Sequence, residues 1–199
     1  MIEVSKASEK DLQAIHDMAQ VVFRHTYRDI LSSEQMEYMM DMMYSLPNLQ
    51  KQLEEGHHYY IAYILENAAV YETIVEGGVS AAEDAVGEYV PCGYVSVQYE
   101  GQDGDGTEIF HLHKIYVMPQ FQGRGVGIRL FETAVRHVRT TMQTLTDHKT
   151  PKARIELNVN KFNSAVNFYK HLGMRVLLEE DFPIGNGFYK TDYIMGLDV

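Results

Sequence analysis

Ile109 to Phe131, IFHLHKIYVMPQFQGRGVGIRLF, decides how the rest of the chain is read. Ile115, Tyr116 and Val117 sit among aromatic and β-branched residues, a composition that suits a strand. Pro119 cannot donate a ladder hydrogen bond, so the strand is predicted to stop before it. Then comes Gln122-Gly123-Arg124-Gly125-Val126-Gly127, followed by a run with helical periodicity in Val126, Leu130, Phe131, Ala134, Val135 and Val138. Glycines at a helix start leave backbone N–H groups free and let a ligand come close, which makes a ready phosphate site. A strand, a glycine turn and a long helix to about Thr144 are therefore expected. The turn is not a Rossmann G-x-G-x-x-G, and it lacks the Gly-Lys-Ser/Thr ending of a P-loop.

Working outward, Ile2-Glu3-Val4 reads as a first strand. Ser8 and Asp11 form a capping-box-like start to a helix whose buried face is Leu12, Ile15, Met18, Ala19, Val22 and Phe23. A second helix starts after Ser32, with Gln35 as capping partner. Met36, Met39, Met40 and Met43 repeat at helical spacing, which suits core or the wall of a substrate groove. Pro47 and Gly56 bound a short third helix. His57–Leu65 and Gly93–Glu100 read as strands, and Gly101–Gly106 as the turn of an antiparallel pair. The Asp and Gly density there is that of a calcium loop, but the EF-hand spacing and closing glutamate are absent, so a plain turn is expected. Residues 66–90, with β-like runs at Val70–Val75 and Glu88–Val90, read as an insertion or extended hairpin. After the long helix come a strand at Ala153–Val159, a helix at Asn163–Leu172 capped by Gly173, and strands at Met174–Leu178 and Tyr189–Leu197. This order predicts one domain over residues 1–199, an α/β (α+β) fold with a central mixed sheet and helices on both faces.

Lys plus Arg is 17 against 28 for Asp plus Glu, a formal charge of −11, which argues against a nucleic-acid partner. That charge would attract cations, polyamines among them, although from charge alone an ordinary solvating surface is the preferred reading. No apolar run reaches the ~20 residues of a membrane span. The N-terminal MIEVSKASEKDL lacks the apolar core of a secretory signal, and Cys92 is a single cysteine, so a reducing cytoplasm is expected. The scattered histidines show no metal-ligand spacing, and no metal is expected.

The pattern as a whole is more specific than its turn. Ile115-x-Val117-x-Pro119, Gln122-x-x-Gly125-x-Gly127, and then Asn163, Ala165, Phe168, Tyr169 and Gly173 after a further strand resemble the GNAT superfamily of acyl-CoA N-acyltransferases. The resemblance implies a sheet splayed open in the middle, acetyl-CoA as cosubstrate and a primary amine of a small molecule as acceptor. It implies that the N–H groups from Gln122 to Ile128, through Gly123, Arg124, Gly125, Val126 and Gly127, bind a pyrophosphate, with the Arg124 charge assisting. Backbone groups along Ile115, Tyr116 and Val117 would pair with the pantetheine arm. The Val117 N–H would polarise the thioester, and Asn163 would touch the cofactor. Tyr169 would be the general acid to the departing thiolate. The alternative for Tyr169 is half of a Phe-Tyr pair packing the core.

The base is sought among Glu108, His111 and His113, with His113 the candidate for catalysis. Strict alternation would place His111 and His113 on one face with Ile109 and Ile115, and a β-bulge would change that. Water-mediated deprotonation needs no base at all. Thr26-Tyr27, Ile30-Leu31-Ser32, Tyr38-Met39 and the tail Ile184-Gly185-Asn186-Gly187 resemble a bacterial subgroup that includes PaiA-type polyamine N-acetyltransferases. That subgroup implies polyamine as the first acceptor to test, with Tyr27, Glu37 and Tyr38 at the acceptor site. Transfer to a protein N-terminus or lysine, or a CoA-sensing module without turnover, are the alternatives. The tail after Ile184 could build a homodimer contact.

Overall fold

The computed structural model describes residues 1–66, 87–145 and 152–199. Among these residues seven strands form one mixed sheet in the order β1-β2-β3-β4-β5-β7-β6. The strands are β1 (Ile2–Lys6), β2 (His58–Glu66), β3 (Glu88–Gln102), β4 (Glu108–Val117), β5 (Ala153–Asn160), β6 (Arg175–Gly185) and β7 (Phe188–Asp198). The helices are α1 (Leu12–Tyr27), α2 (Ser33–Tyr44), α3 (Leu46–Glu54), α4 (Val126–Leu145) and α5 (Ala165–His171). The expected order of elements is borne out. The expected run at 70–75 lies outside the described residues, as does most of the segment at 66–90. Glu88–Val90 opens β3 and pairs with Ile64–Glu66.

Two cores flank the sheet, and the sequence periodicity explains both. On one side Leu12, Ile15, Met18, Ala19, Val22 and Phe23 of α1 pack with Met36, Met39, Met40 and Tyr44 of α2 against Tyr59, Ile61 and Tyr94. On the other side Leu130, Ala134 and Val138 of α4 pack with Val166 and Tyr169 of α5. They cover Val95, Val97, Phe110 and Leu112, together with the alternating Ala153, Ile155, Leu157 and Val159 of β5. Local chemistry sets the helix starts. The Ser8–Asp11 capping box is present but closes a 3-10 turn over Glu9–Asp11 that leads into α1, and Ser32 accepts the Gln35 N–H at 3.1 Å. Gln35 does not close a box in return; its amide donates to Tyr189 O at 3.1 Å. Helix α5 starts at Ala165 rather than Asn163, because the Asn163 side chain accepts the Ala165 N–H at 2.9 Å and so stands just outside the helix.

Strand β6 continues to Gly185 instead of stopping at Leu178. It pairs with β7 as far as Gly185 and Phe188, and its charged Glu179, Glu180 and Asp181 suit an outermost strand. The turn after it packs on α2, where the Tyr38 hydroxyl donates to Ile184 O at 2.8 Å. The turn between β3 and β4 is a plain one: Asp103 accepts the N–H groups of Asp105 and Thr107 at 3.0 and 2.9 Å, and its other oxygen meets Arg154 at 3.1 Å.

Two features shape the middle of the sheet. Strands β4 and β5 run parallel and pair only from Glu108–Ala153 to His111–Glu156. Beyond that they diverge, which opens the expected splay. The register of β3 against β4 slips between Ser96–Lys114 and Val97–Leu112, so His113 is an extra residue in β4. This bulge corrects the alternation. Ile115 packs into the α4 side, whereas the rings of His111 and His113 stay together at 4.5 Å on the other side. Close approach of β3 to β4 also requires Gly93, where a Cβ would lie 2.6 Å from Tyr116 O.

Candidate active site

The splay makes a cleft of about 480 Å³. The N–H of Met118 donates to Cys92 O at 2.9 Å. Antiparallel pairing alternates from there, so Tyr116 bonds toward β3 while the backbone groups of Ile115 and Val117 face the gap. Among the described residues no strand pairs with them there, and the Val117 carbonyl instead accepts the Gln122 side-chain amide at 3.1 Å. At one end of the cleft is the glycine turn. Gly123 and Gly125 have φ of 73° and 85°, which side-chain-bearing residues rarely adopt. The left-handed turns swing the chain into α4. Only Gln122 and Arg129 among the turn's N–H groups meet backbone carbonyls, those of Pro119 and Gly125, so those from Gly123 to Ile128 are left without a backbone acceptor among the described residues. A Cβ at Gly123 or Gly125 would touch nothing within 4 Å, so the cradle is open.

The other wall is β5 and α5. Val159, Asn163, Phe168 and Tyr169 line it. Tyr169 is 7% exposed. Burial, and then the nearby Tyr27 hydroxyl, push its pKa up, so the phenol keeps its proton. Tyr27 reaches in from α1, and its hydroxyl lies 3.4 Å from that of Tyr116.

The cleft thus gathers Ile115, Tyr116, Val117, Gln122, Gly123, Gly125, Val126, Gly127, Ile128, Asn163, Tyr169, His113 and Tyr27. Three expected residues lie elsewhere. Arg124 turns away toward Glu66, 3.9 Å off, and lies over the Phe121 ring. Glu37 forms a two-pronged ion pair with Arg24 on the outer surface. Tyr38 is committed to the β6–β7 turn, with its ring tilted against Phe188 at 5.7 Å.

A second cavity of about 350 Å³ opens on the α1–α3 side. It shares Tyr27, His113, Tyr116 and Asn158 with the first, so the two adjoin. It also contains a group the sequence reading missed. Lys114 is 4% exposed. Its Nζ donates to Gln52 Oε1 at 2.6 Å and sits 5.6 and 5.5 Å from the ring centres of Tyr44 and Tyr59. Burial lowers its pKa to about 7. Only the bulge turns Lys114 inward, and no local sequence signal announces a bulge.

His57, His111 and His113 surround this lysine. Burial and repulsion from neighbouring bases lower their pKa values from 6.5 to about 4, 4 and 2. The unfolded chain therefore takes up protons as pH falls through 6.5, while the native state does not until about 4 or below. Native stability is expected to drop as pH falls through that window, because the unfolded state binds more protons there. The denaturant midpoint measured from pH 7 to pH 4 should decline, and His113→Gln should flatten the decline. An unchanged midpoint would show the histidines titrating normally.

A family model described as acetyltransferase (GNAT) domain matches residues 55–175. The chain belongs to this family. It is an acetyl-CoA-dependent N-acetyltransferase, and the matched GNAT segment runs from just before β2 to the start of β6, taking in the glycine turn, β4, β5 and α5 of the cleft. Solved structures agree in fold. PaiA N-acetyltransferase from Thermoplasma acidophilum, in complex with coenzyme A, superposes with a TM-score of 0.66 at 19% identity, covering 100% of this chain and 99% of that one. The ribosomal-protein-S18-alanine N-acetyltransferase from Escherichia coli gives 0.59 at 16%, covering 100% and 94%. Arabidopsis thaliana Naa50, in complex with the bisubstrate analogue CoA-Ac-MVNAL, gives 0.55 at 13%, covering 98% and 97%. At these identities the likeness is one of fold, and the acceptor is not carried over. No helix among the described residues is long and apolar enough to cross a membrane.

Proposed function

We propose that this GNAT domain moves the acetyl group of acetyl-CoA to a primary amine of a small molecule by direct attack on the thioester. One observation carries the reading. The free N–H groups of the glycine turn, the unpaired edge of Ile115 and Val117, and Tyr169 line a single cleft. A pyrophosphate fits the turn, where helix-start N–H groups point at the ligand. An extended arm with amide groups fits the strand edge, with the Gln122 amide yielding the Val117 carbonyl. The Val117 N–H faces the gap, where it would stabilise the oxyanion. Tyr169, neutral through burial, would protonate the departing thiolate.

His113 stands where the two cavities meet, as a base should. Its Nε2 is 2.9 Å from Gln98 Oε1, and a pKa of about 2 makes it a poor store for an ammonium proton. Water is the better route for that proton. The polyamine acceptor asks for carboxylates facing the cleft. Glu37 is bound to Arg24 outside, and Asp192, the one carboxylate lining the second cavity among the described residues, is 3.1 Å from Lys190. The proposal therefore keeps the amine and not the polyamine.

The test is thiol release from acetyl-CoA with a panel of amines that includes spermidine, small monoamines and short peptides. Turnover with a small amine is expected. No acetyl-CoA binding and no turnover with any amine would sink the reading.

A further inference from the structure

We propose that the acceptor amine carries an anionic group, a carboxylate or a phosphate, and that Lys114 and the bases around it receive that group in the second cavity. This rests on the acetyl-transfer reading above for the position of the reacting amine.

The argument starts from the charges. The cavity is lined by the amines of Lys114 and Lys190 and the neutral imidazoles of His57, His111 and His113; Asp192 is the one carboxylate among its described lining residues, and Glu100 lies behind the histidines, 3.8 Å from His111 and 3.7 Å from His113. Asp192 is buried and already engaged by Lys190 at 3.1 Å. Among the described residues Lys114 has no carboxylate partner. Its polar contact is the Gln52 carbonyl, and no nearby anion offsets the burial that lowers its pKa. A buried cation without a counter-charge is costly, and an apolar residue of the same length would pack against Tyr44 and Tyr59 without that cost. A ligand anion would supply the missing partner through a charge-assisted hydrogen bond in a site of low dielectric.

The surrounding geometry holds the lysine for that purpose. The Gln52 amide N–H donates to Met43 O at 3.1 Å, which fixes its carbonyl toward Lys114. His57 is held on the same side by Ser96, Nδ1 to Oγ 3.1 Å, with its ring 4.2 Å from that of His113. These imidazoles are neutral when the cavity is empty of anions, since their pKa values lie well below 7. Leu31, Met39 and Met43 supply apolar lining to the same cavity. An amine of this class would thus lie with its nitrogen at the junction of the cavities, beside Tyr27 and Tyr116, and its anion at Lys114. A polyamine would place a second cation against Lys114.

Matched pairs of amines test this: amino acids against their primary amides, and aminoethyl phosphate against ethanolamine, with 1,4-diaminobutane as the cationic arm. For wild type, kcat/KM for the anionic member should exceed that of its neutral partner by ~10-fold or more, carried mainly by KM. Lys114→Met should bring the ratio to within ~3-fold. His57→Gln should lower it as well and serves if Lys114→Met does not fold. Calorimetric titration of the same amines into CoA-bound protein reads the pocket without turnover. Neutral amines or diaminobutane used or bound as well as the anionic members would overturn the inference and leave acetyl transfer standing. A loss in Lys114→Met of equal size for both members of a pair would also overturn it. Tight binding of anionic amines with no turnover of any amine would support the pocket and sink the acetyl-transfer reading instead.

Discussion

Tyr169→Phe is expected to lower kcat for acetyl transfer by ~10²-fold or more, the range for loss of a positioned general acid. The ring would remain beside Phe168, whose centroid is 5.5 Å away, and in the wall of the cleft, so acetyl-CoA affinity should change little. The phenol is neutral at working pH because burial opposes its ionisation. It can therefore give a proton to the thiolate as the thioester breaks. Steady-state rates and equilibrium binding of acetyl-CoA, measured on the same preparation, separate the two effects. A rate within ~3-fold of wild type would mean that the thiolate leaves unaided and that Tyr169 is half of a packing pair. Tyr27 and Tyr116 complicate substitution from the other side of the cleft, since their hydroxyls lie 3.4 Å apart and each responds to its neighbours.

Lys114→Met should stabilise the protein at neutral pH by a few kcal/mol, on the order set by a pKa depression from 10.5 to about 7. The sign follows from proton counts. Above pH 10.5 the lysine is neutral in both states and costs nothing through its charge. Between about 10.5 and 7 the unfolded chain is protonated and the native chain is not, so the cost grows as pH falls. Below about 7 both states carry the proton and the cost is constant at its largest. The gain from Lys114→Met should therefore be full below pH 7 and fade toward pH 10.5. Chemical denaturation of both proteins at pH 6.5, 8.5 and 10 measures it. Equal stability of the two at pH 6.5 would mean that Lys114 is better solvated than its 4% exposure implies. A residue that lowers stability in the wall of the second cavity is the pattern expected where function sets the side chain.

The helices show how far local patterns reach. Leu12, Ile15, Met18, Ala19, Val22 and Phe23 were legible as one face because helical spacing repeats within a few residues, and all six are buried. The methionines of α2 read as core or groove, and they serve as both: Met36, Met39 and Met40 are buried, while Met39 and Met43 also wall the second cavity. Tyr169 and Asn163 were placed from a resemblance, and the splay brings both into the cleft with the glycine turn. Glu37 and Tyr38 were placed from segment alone. Their partners, Arg24 at 13 residues' separation and Ile184 at 146, could not be read from neighbours in the chain.

The chain's own order of residues settled the strand, turn and helix of Ile109–Phe131, because the proline, the glycines and the apolar spacing act on backbone geometry over a few residues. Tertiary structure alone decided what faces the acceptor. One extra residue in β4 at His113 reverses the alternation beyond it. It buries the Lys114 ammonium between Gln52, Tyr44 and Tyr59, partners drawn from elements 55 to 70 residues earlier. A bulge is set by the register between two strands, and register is a property of the pair, so neither strand read singly could reveal it.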